Sequence, residues 1–176
     1  MKRRDWVVTG AVGLAALGMM GIQAQPANMG QPGATKMTMA RPDALTWAPA
    51  PPGLPQGAQA AVLSGDPGKA GRFAIRLKAP EGYRIAPHTH PTDEVVTVIS
   101  GTFHMGSGQT FTKTAAQAYP AGSFLVMPAG MAHFAWTEGD TVVQIEAQGP
   151  FVINYVNPKD DPRQQGVGGS GAPQAP

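Results

Sequence analysis

The chain has 176 residues, with 23 glycines, 18 prolines, no cysteine and only 14% charged residues. This length suits one domain, and the glycine and proline content is typical of short strands joined by turns. The absence of cysteine excludes disulfides, thiol nucleophiles and thiolate metal ligands. Residues 2–5 hold three of the 13 basic and one of the 11 acidic residues, so the remainder carries ten of each and the net charge of +2 lies in this segment. The sequence contains no basic patch, so we do not expect a nucleic-acid partner.

Residues 1–24 have the pattern of an export signal. A basic start at residues 2–4 precedes an apolar stretch at 6–22, and Ala24 provides a small residue for cleavage. We therefore expect a periplasmic or secreted mature protein that is free of the membrane after cleavage. An uncleaved membrane anchor is the alternative, although the stretch is slightly short for a span and no stop-transfer charges follow it.

The rest of the chain divides by composition into a linker, a domain and a tail. Residues 25–42 are dominated by Pro, Gly, Ala, Thr and Gln, which predicts a disordered linker. Residues 43–163 are expected to form the domain, and residues 164–176 a disordered tail. At the start of the domain, residues 46–55 form a proline-rich arm that cannot pair as a central strand, and Trp47 is expected to pack it against the domain.

Short apolar or alternating segments separated by glycine-rich turns predict an all-β domain with no helix longer than a turn or two. Phe73, Ile75 and Leu77 alternate with charged or small residues, as in a half-buried strand. We expect a tight turn at Gly101, a hairpin or loop over 109–119 and a turn at 138–140. The predicted strands cover residues 60–64, 72–78, 94–100, 102–105, 124–127, 132–137, 141–147 and 151–156.

Two histidines and a glutamate in one segment share the parity of a strand. In an extended chain, positions two and four apart point to the same side, so His88, His90 and Glu94 can face one space together. Pro91 disfavours a regular strand through this segment, and a bend or bulge there would re-aim the glutamate. The segment can therefore present two imidazoles and one carboxylate to one side.

A third histidine, His133, follows a Pro-Ala-Gly turn at residues 128–130 and lies in another strand-like run. Together the four side chains offer three neutral nitrogens and one anionic oxygen. This set suits one divalent transition metal (Zn, Fe, Mn, Ni or Cu) and suits calcium and magnesium poorly. The alternative interpretation is a metal-free barrel with histidines in its core.

These segments resemble the two motifs of the cupin family. The first motif, G-x5-H-x-H-x3-E-x6-G, is matched by Gly82, His88, His90, Glu94 and Gly101. The second, G-x5-P-x-G-x2-H-x3-N, is matched by Gly122, Pro128, Gly130 and His133, whereas Thr137 stands in place of the asparagine. That last position is not a metal ligand in the family. The resemblance implies a double-stranded β-helix, or jelly roll, with a metal inside the barrel.

Segments outside the motifs resemble a bacterial subgroup that contains the cupin domains of ChrR-type anti-sigma factors and small exported cupins. They comprise Trp47 and residues 55–59, 63–67 and 160–163. The anti-sigma factors also carry a zinc-binding helical domain built on Cys and His. The sequence shows no such Cys- and His-based helical domain, so we do not expect a sigma-factor partner.

An open coordination position on the metal would permit a metal-dependent dioxygenase or isomerase acting on a small oxygenated molecule. A non-catalytic module that binds or senses a small ligand is the alternative, and a structural domain with a protein partner is a third. Family resemblance also implies a homodimer. The catalytic residues are not identified by the sequence: His104 and Tyr83 are the main candidates, and the other side chains considered are Arg84, Tyr119, Gln144 and Glu146.

Overall fold

The computed structural model describes residues 37–165, and the predicted signal, most of the predicted linker and most of the predicted tail lie outside that range. Within it, the alternating and β-branched segments form nine strands. They are β1 (Ala48–Pro49), β2 (Gln59–Ser64), β3 (Gly71–Ala79), β4 (Arg84–Thr89), β5 (Glu94–Ser107), β6 (Gln117–Pro120), β7 (Phe124–Met127), β8 (His133–Gly149) and β9 (Asn154–Tyr155).

The two long strands, β5 and β8, pair antiparallel along most of their length and take part in both walls of a barrel. The C-terminal half of β8 lies between β3 and the start of β5, and this wall continues through β2 to β1 on one side and to β7 on the other. The N-terminal half of β8 lies between β4 and the end of β5, with β9 and β6 at the margins. This arrangement is a jelly roll, as the family resemblance implies.

Both long strands pass through segments where the sequence predicts turns. The predicted turn at Gly101 is instead a bend within β5, and the predicted turn at 138–140 is part of β8. The register between the two strands shifts on both sides of Ser100, and Gly101 adopts φ 77°. A Cβ at Gly101 would lie 2.5 Å from the Asp140 carbonyl oxygen. Glycine therefore lets the two strands bend together while they stay paired.

The core of the barrel is filled by the inward-facing residues of these strands. Phe73, Ile75 and Leu77 are buried, as the alternation predicts, and they pack with Val96 and Val143. Complete burial of one such side chain contributes about 1.5–3 kcal/mol to folding. The alternating pattern thus determines which face of each strand lies toward the interior of the barrel.

The remaining elements are short. The described residues contain one four-residue helix, α1 (Pro162–Gln165), and three 3₁₀ turns at Pro42–Ala44, Lys113–Ala115 and Pro158–Asp160. The prediction that helices are minimal is confirmed for this part of the chain. The proline-rich arm contributes β1, which pairs on one side with β2 and is an edge strand, as its prolines require. No helix within residues 37–165 has the length and hydropathy needed to cross a membrane.

Thr137, the residue that departs from the second cupin motif, has a structural role. Its hydroxyl donates a hydrogen bond to the Pro80 carbonyl at 2.6 Å and accepts one from the Tyr83 amide at 2.9 Å. Two backbone hydrogen bonds reinforce this contact: the Gly82 amide donates to the Thr137 carbonyl, and the Thr137 amide donates to the Tyr83 carbonyl. The Tyr83 amide also donates to the Pro80 carbonyl at 3.2 Å, so the buried hydroxyl gives each of these two backbone groups an additional hydrogen bond. Thr137 therefore connects the turn before β4 to β8 through hydrogen bonds.

Candidate metal centre

The strand ends bring the four predicted ligands to one place. His88 in β4 pairs directly with His133, the first residue of β8. His90 follows β4, and Glu94 begins β5 after a break in the strand at Pro91, as predicted. All four side chains are buried, with exposed fractions between 1% and 5%. Buried polar groups of this kind require partners.

Each imidazole is oriented by a backbone carbonyl. The Nδ1 atoms of His88, His90 and His133 lie 2.8, 2.7 and 2.9 Å from the carbonyl oxygens of residues 86, 152 and 131. A carbonyl can only accept, so each Nδ1 carries a proton and donates. In the neutral imidazole this leaves the Nε2 atom with a free lone pair, which is the arrangement that metal-binding histidines adopt.

The free nitrogens converge. Each of the three histidines offers a ring nitrogen within 4.8 Å of those of the others. The Oε2 atom of Glu94 lies 3.5 Å from His90 Nε2 and 3.4 Å from His133 Nε2. Neither of these two nitrogens has a hydrogen-bond partner, although both are buried. Two orphaned lone pairs beside a carboxylate are explained by a cation between them, so the residues present fit a metal ion.

The protonation states also suit a metal. Burial, with a smaller contribution from neighbouring His133, lowers the pKa of His88 to about 3. Burial lowers the pKa of His90 as well. For Glu94, burial by itself raises the pKa, but contact with His133 and the nearby His90 outweigh it, and the net direction is downward. At neutral pH the two histidines are therefore neutral and the glutamate is ionised, as metal ligation requires.

The turn of the second motif is attached to the loop of the first. The Gly130 amide donates to the His90 carbonyl at 2.8 Å, and the Ala129 amide donates to Asp93 Oδ1 at 2.8 Å. Gly130 has φ 77°, a backbone conformation that favours glycine. These bonds hold the segment between β4 and β5 against the start of β8. They fix the distance between His90 and His133.

His104, a catalytic candidate from the sequence, lies on the opposite face of β5 from Phe103 and Met105, which line the cavity beside the three histidines. Its ring stacks on Trp136 with centroids 3.7 Å apart, and Nε2 lies 2.9 Å from Glu138 Oε2. The structure thus places His104 in a contact on the outer face of the barrel, away from the three histidines.

Tyr83 is buried in the hydrophobic core, where its hydroxyl donates to the Pro55 carbonyl at 2.6 Å. Burial raises its pKa well above the usual range. The other candidates are also engaged elsewhere: Arg84 lies over the ring of Phe111, and Gln144 bonds to Glu146. None of the six candidates lines the cavity at the histidines; they are Tyr83, Arg84, His104, Tyr119, Gln144 and Glu146.

The segment after β8 contributes residues that sequence reasoning missed. Phe151 stacks on the His90 ring with centroids 4.7 Å apart, and the Val152 carbonyl accepts a hydrogen bond from His90 Nδ1. The alternation of Phe151 and Ile153 signals a buried segment, but its contact with the histidines depends on tertiary structure. The cavity beside the ligands measures about 20 Å³, room for one or two water molecules. Apart from the four polar ligands, its lining is apolar: Leu54, Leu77, Ile85, Val96, Phe103, Met105, Ala135, Val143, Ile145, Phe151 and Ile153.

An antiparallel jelly roll with three converging imidazoles inside it is the architecture of a cupin. The family model described as "ChrR Cupin-like domain" matches residues 35–152, which is more than half of the chain. The chain therefore belongs to the ChrR cupin-like family, in agreement with the resemblance noted in the sequence.

Solved structures and a curated relative agree with this assignment. The polyketide cyclase RemF from Streptomyces resistomycificus is 15% identical with a TM-score of 0.59, and the match covers 73% of this chain and 92% of that one. An RmlC-like cupin from Shewanella frigidimarina NCIMB 400 is 14% identical with a TM-score of 0.50, covering 64% and 91%. At these identities the likeness concerns the fold alone. Germin-like protein 5-1 from Oryza sativa subsp. japonica is 41% identical over 56 residues, which span 31% of this chain and 25% of that protein.

Proposed function

We propose that this protein is an exported cupin that binds one divalent transition-metal ion through His88, His90, Glu94 and His133 and acts on a small oxygenated molecule as a metal-dependent oxygenase. The observation that carries the proposal is the convergence of three carbonyl-oriented imidazoles within 4.8 Å of one another, with a buried carboxylate beside them. Four ligands of this kind leave one or two coordination positions for a substrate oxygen or dioxygen.

When bound, iron, manganese, nickel or copper would supply oxygen chemistry, and zinc would supply Lewis-acid chemistry for isomerisation or hydrolysis. The chain's own residues orient the metal-binding side chains and leave room for only one or two water molecules beside them. The carbonyls of residues 86, 131 and 152 fix the three imidazoles, so little reorganisation is needed on metal binding. The apolar lining keeps the local dielectric low, which strengthens the interaction of Glu94 with any cation.

A non-catalytic, metal-dependent binding or sensing module is the second candidate. The small volume beside the ligands, about 20 Å³, favours a module in which the metal holds a small anion or stabilises the barrel, because a substrate needs more room than one or two water molecules occupy. Turnover separates the two candidates. An oxygen-uptake screen of iron- and manganese-loaded protein with enolic and phenolic compounds should give sustained consumption for an oxygenase and none for a module.

The metal site itself is tested with Co²⁺, whose visible absorption reports its ligands. We expect the wild-type protein to bind one equivalent, and the variants H90Q and H133Q to lose at least tenfold in affinity. The variant H104Q is the matched control, because it removes the histidine that lies outside the cluster. Wild-type affinity in both H90Q and H133Q would refute the ligand assignment.

Export rests on the sequence of residues 1–24. The proposal predicts that the protein from its own host begins after Ala24 and fractionates with periplasmic or secreted proteins, which intact-mass measurement checks. A full-length protein in the membrane fraction would support the uncleaved anchor instead.

The chain is also proposed to form a homodimer. Among the described strands β7 pairs only with β5, and its outward side chains Phe124 and Val126 are 65% and 51% exposed. Light scattering should give twice the chain mass, and the substitution F124S should lower it if this edge takes part.

A further inference from the structure

A second cavity of about 280 Å³ lies directly against the metal centre. Leu54, Phe151 and Ile153 line both cavities, so these side chains form a shared wall. Phe151 itself stacks on His90. A molecule in the second cavity would therefore be separated from the proposed metal ligands by the thickness of one side chain. The volume is close to the lower end of the roughly 300–1,000 Å³ typical of small-molecule sites.

The walls of this cavity define the chemistry of its ligand. Ile75 joins the shared wall to make the inner surface apolar, and Arg163 is the one ionisable residue in the lining. A cavity of this composition favours a compact apolar body with one polar end. A ligand amine would meet the guanidinium as a like charge, whereas a carboxylate would meet donors.

Arg163 is held in place and still has donors to spare. Its Nε and Nη2 atoms bond to the Asp161 carboxylate at 2.7 and 2.8 Å, and Nη2 also donates to the Ile153 carbonyl at 2.8 Å. Nη1 has no hydrogen-bond partner among residues 37–165. It lies on the cavity side, since a Cβ placed on Gly53 would be 3.8 Å from it. The guanidinium is thus fixed by a residue outside the lining and directs a free N–H group toward the cavity.

We propose that this cavity binds a small carboxylic acid with a compact apolar body, with the body against Leu54, Ile75 and Ile153 and the carboxylate on Nη1 of Arg163. The inference rests on the proposed function in one respect: the acid is taken to be the substrate of the adjoining metal centre, and it reaches that centre when Phe151 is displaced. The binding itself requires no metal.

The experiment titrates the protein with cyclohexanecarboxylate and follows backbone amides by NMR. Cyclohexylmethylamine is the matched probe of opposite charge. We expect saturable shifts at Gly53, Phe151 and Arg163 with the acid and none with the amine. The variant R163Q should weaken the acid at least tenfold.

Because Arg163 also stabilises Asp161, a second variant keeps the proposal testable if R163Q folds poorly. A Cβ on Gly53 would make only ordinary contacts, the nearest at 3.6 Å, so G53L should fold and fill the cavity, and G53A is its control. We expect G53L to abolish binding and G53A to bind within threefold of wild type. Unchanged binding in G53L, or equal binding of the amine, would overturn the proposal.

The titration is repeated after chelation and in H133Q, so that a failure of the acid-binding proposal can be distinguished from a failure of the proposed metal centre. Binding that persists without metal supports the cavity even if no metal site exists. Binding that vanishes with the metal means that the acid is a metal ligand, which overturns this inference and leaves the proposed metal centre intact.

Discussion

Acid should destabilise the metal-free protein, and His88 should account for much of the effect. Its pKa is about 3 in the folded protein, chiefly through burial, against 6.5 for an ordinary histidine. Between these values the unfolded chain binds a proton that the folded chain does not, so stability falls as the pH falls below about 7. At pH 5 the difference is about 2 kcal/mol for this residue. His90, whose pKa is also lowered, acts in the same direction.

The assay is urea unfolding with chelator present at pH 7.5, 6.5, 5.5 and 5.0, for wild type and for H88Q, which retains a neutral polar side chain of similar size. Glu94 contributes little here, because its lowered pKa places its titration below pH 4.5. We expect the wild type to lose about 2 kcal/mol more than H88Q between pH 7.5 and 5.0. Equal losses would show that His88 is not held neutral by burial and would refute the reasoning.

Three further changes test the fold around the site. G101A should lower the free energy of unfolding by about 2–4 kcal/mol in urea, because a Cβ there meets the Asp140 carbonyl and the φ angle is also unfavourable. The control G82A has φ 70° and open space around the Cβ, so it should cost only about 1–2 kcal/mol. Equal costs would contradict the close approach of the two strands at Gly101. T137V should lose about 1–2 kcal/mol, since it removes both hydrogen bonds of the buried hydroxyl and leaves the Tyr83 amide and the Pro80 carbonyl only their 3.2 Å bond to each other. An unchanged melting temperature would show that the hydroxyl is dispensable. Y83F should lose about 1 kcal/mol of stability and leave Co²⁺ affinity unchanged; a loss of turnover at full metal occupancy would restore this residue as a catalytic candidate.

The position of the candidate metal centre could be predicted because its determinants are local. The parity of His88, His90 and Glu94 follows from two-residue alternation, and Pro91 signals the break that re-aims the glutamate. Alternation along β3 likewise identified the buried face. The family motifs then joined His133 to this set, and the structure brings all four side chains together.

The bends in the long strands could not be predicted, because a glycine inside a bent strand looks the same in sequence as a glycine in a turn. Gly101 and Gly139 both have positive φ, yet β5 and β8 continue through them because each has a partner strand to follow. Pairing between residues about 40 positions apart is a tertiary effect that local propensity does not contain.

The environment of His104 was equally hidden. The residue is buried even though it faces away from the cavity, since Trp136 covers its ring and Lys113 lies over Trp136 in turn. The contact of Phe151 with His90 depends in the same way on a segment more than 60 residues distant in the chain. Neither neighbour could be assigned from spacing.

The most direct test of the central claim is the metal content of the protein purified from its own host without chelator or metal-affinity steps, measured beside the double variant H88A/H90A. The account predicts close to one transition-metal ion per chain in the wild type and a small fraction of that in the variant. Equal metal content in the two proteins would contradict a centre built on these histidines.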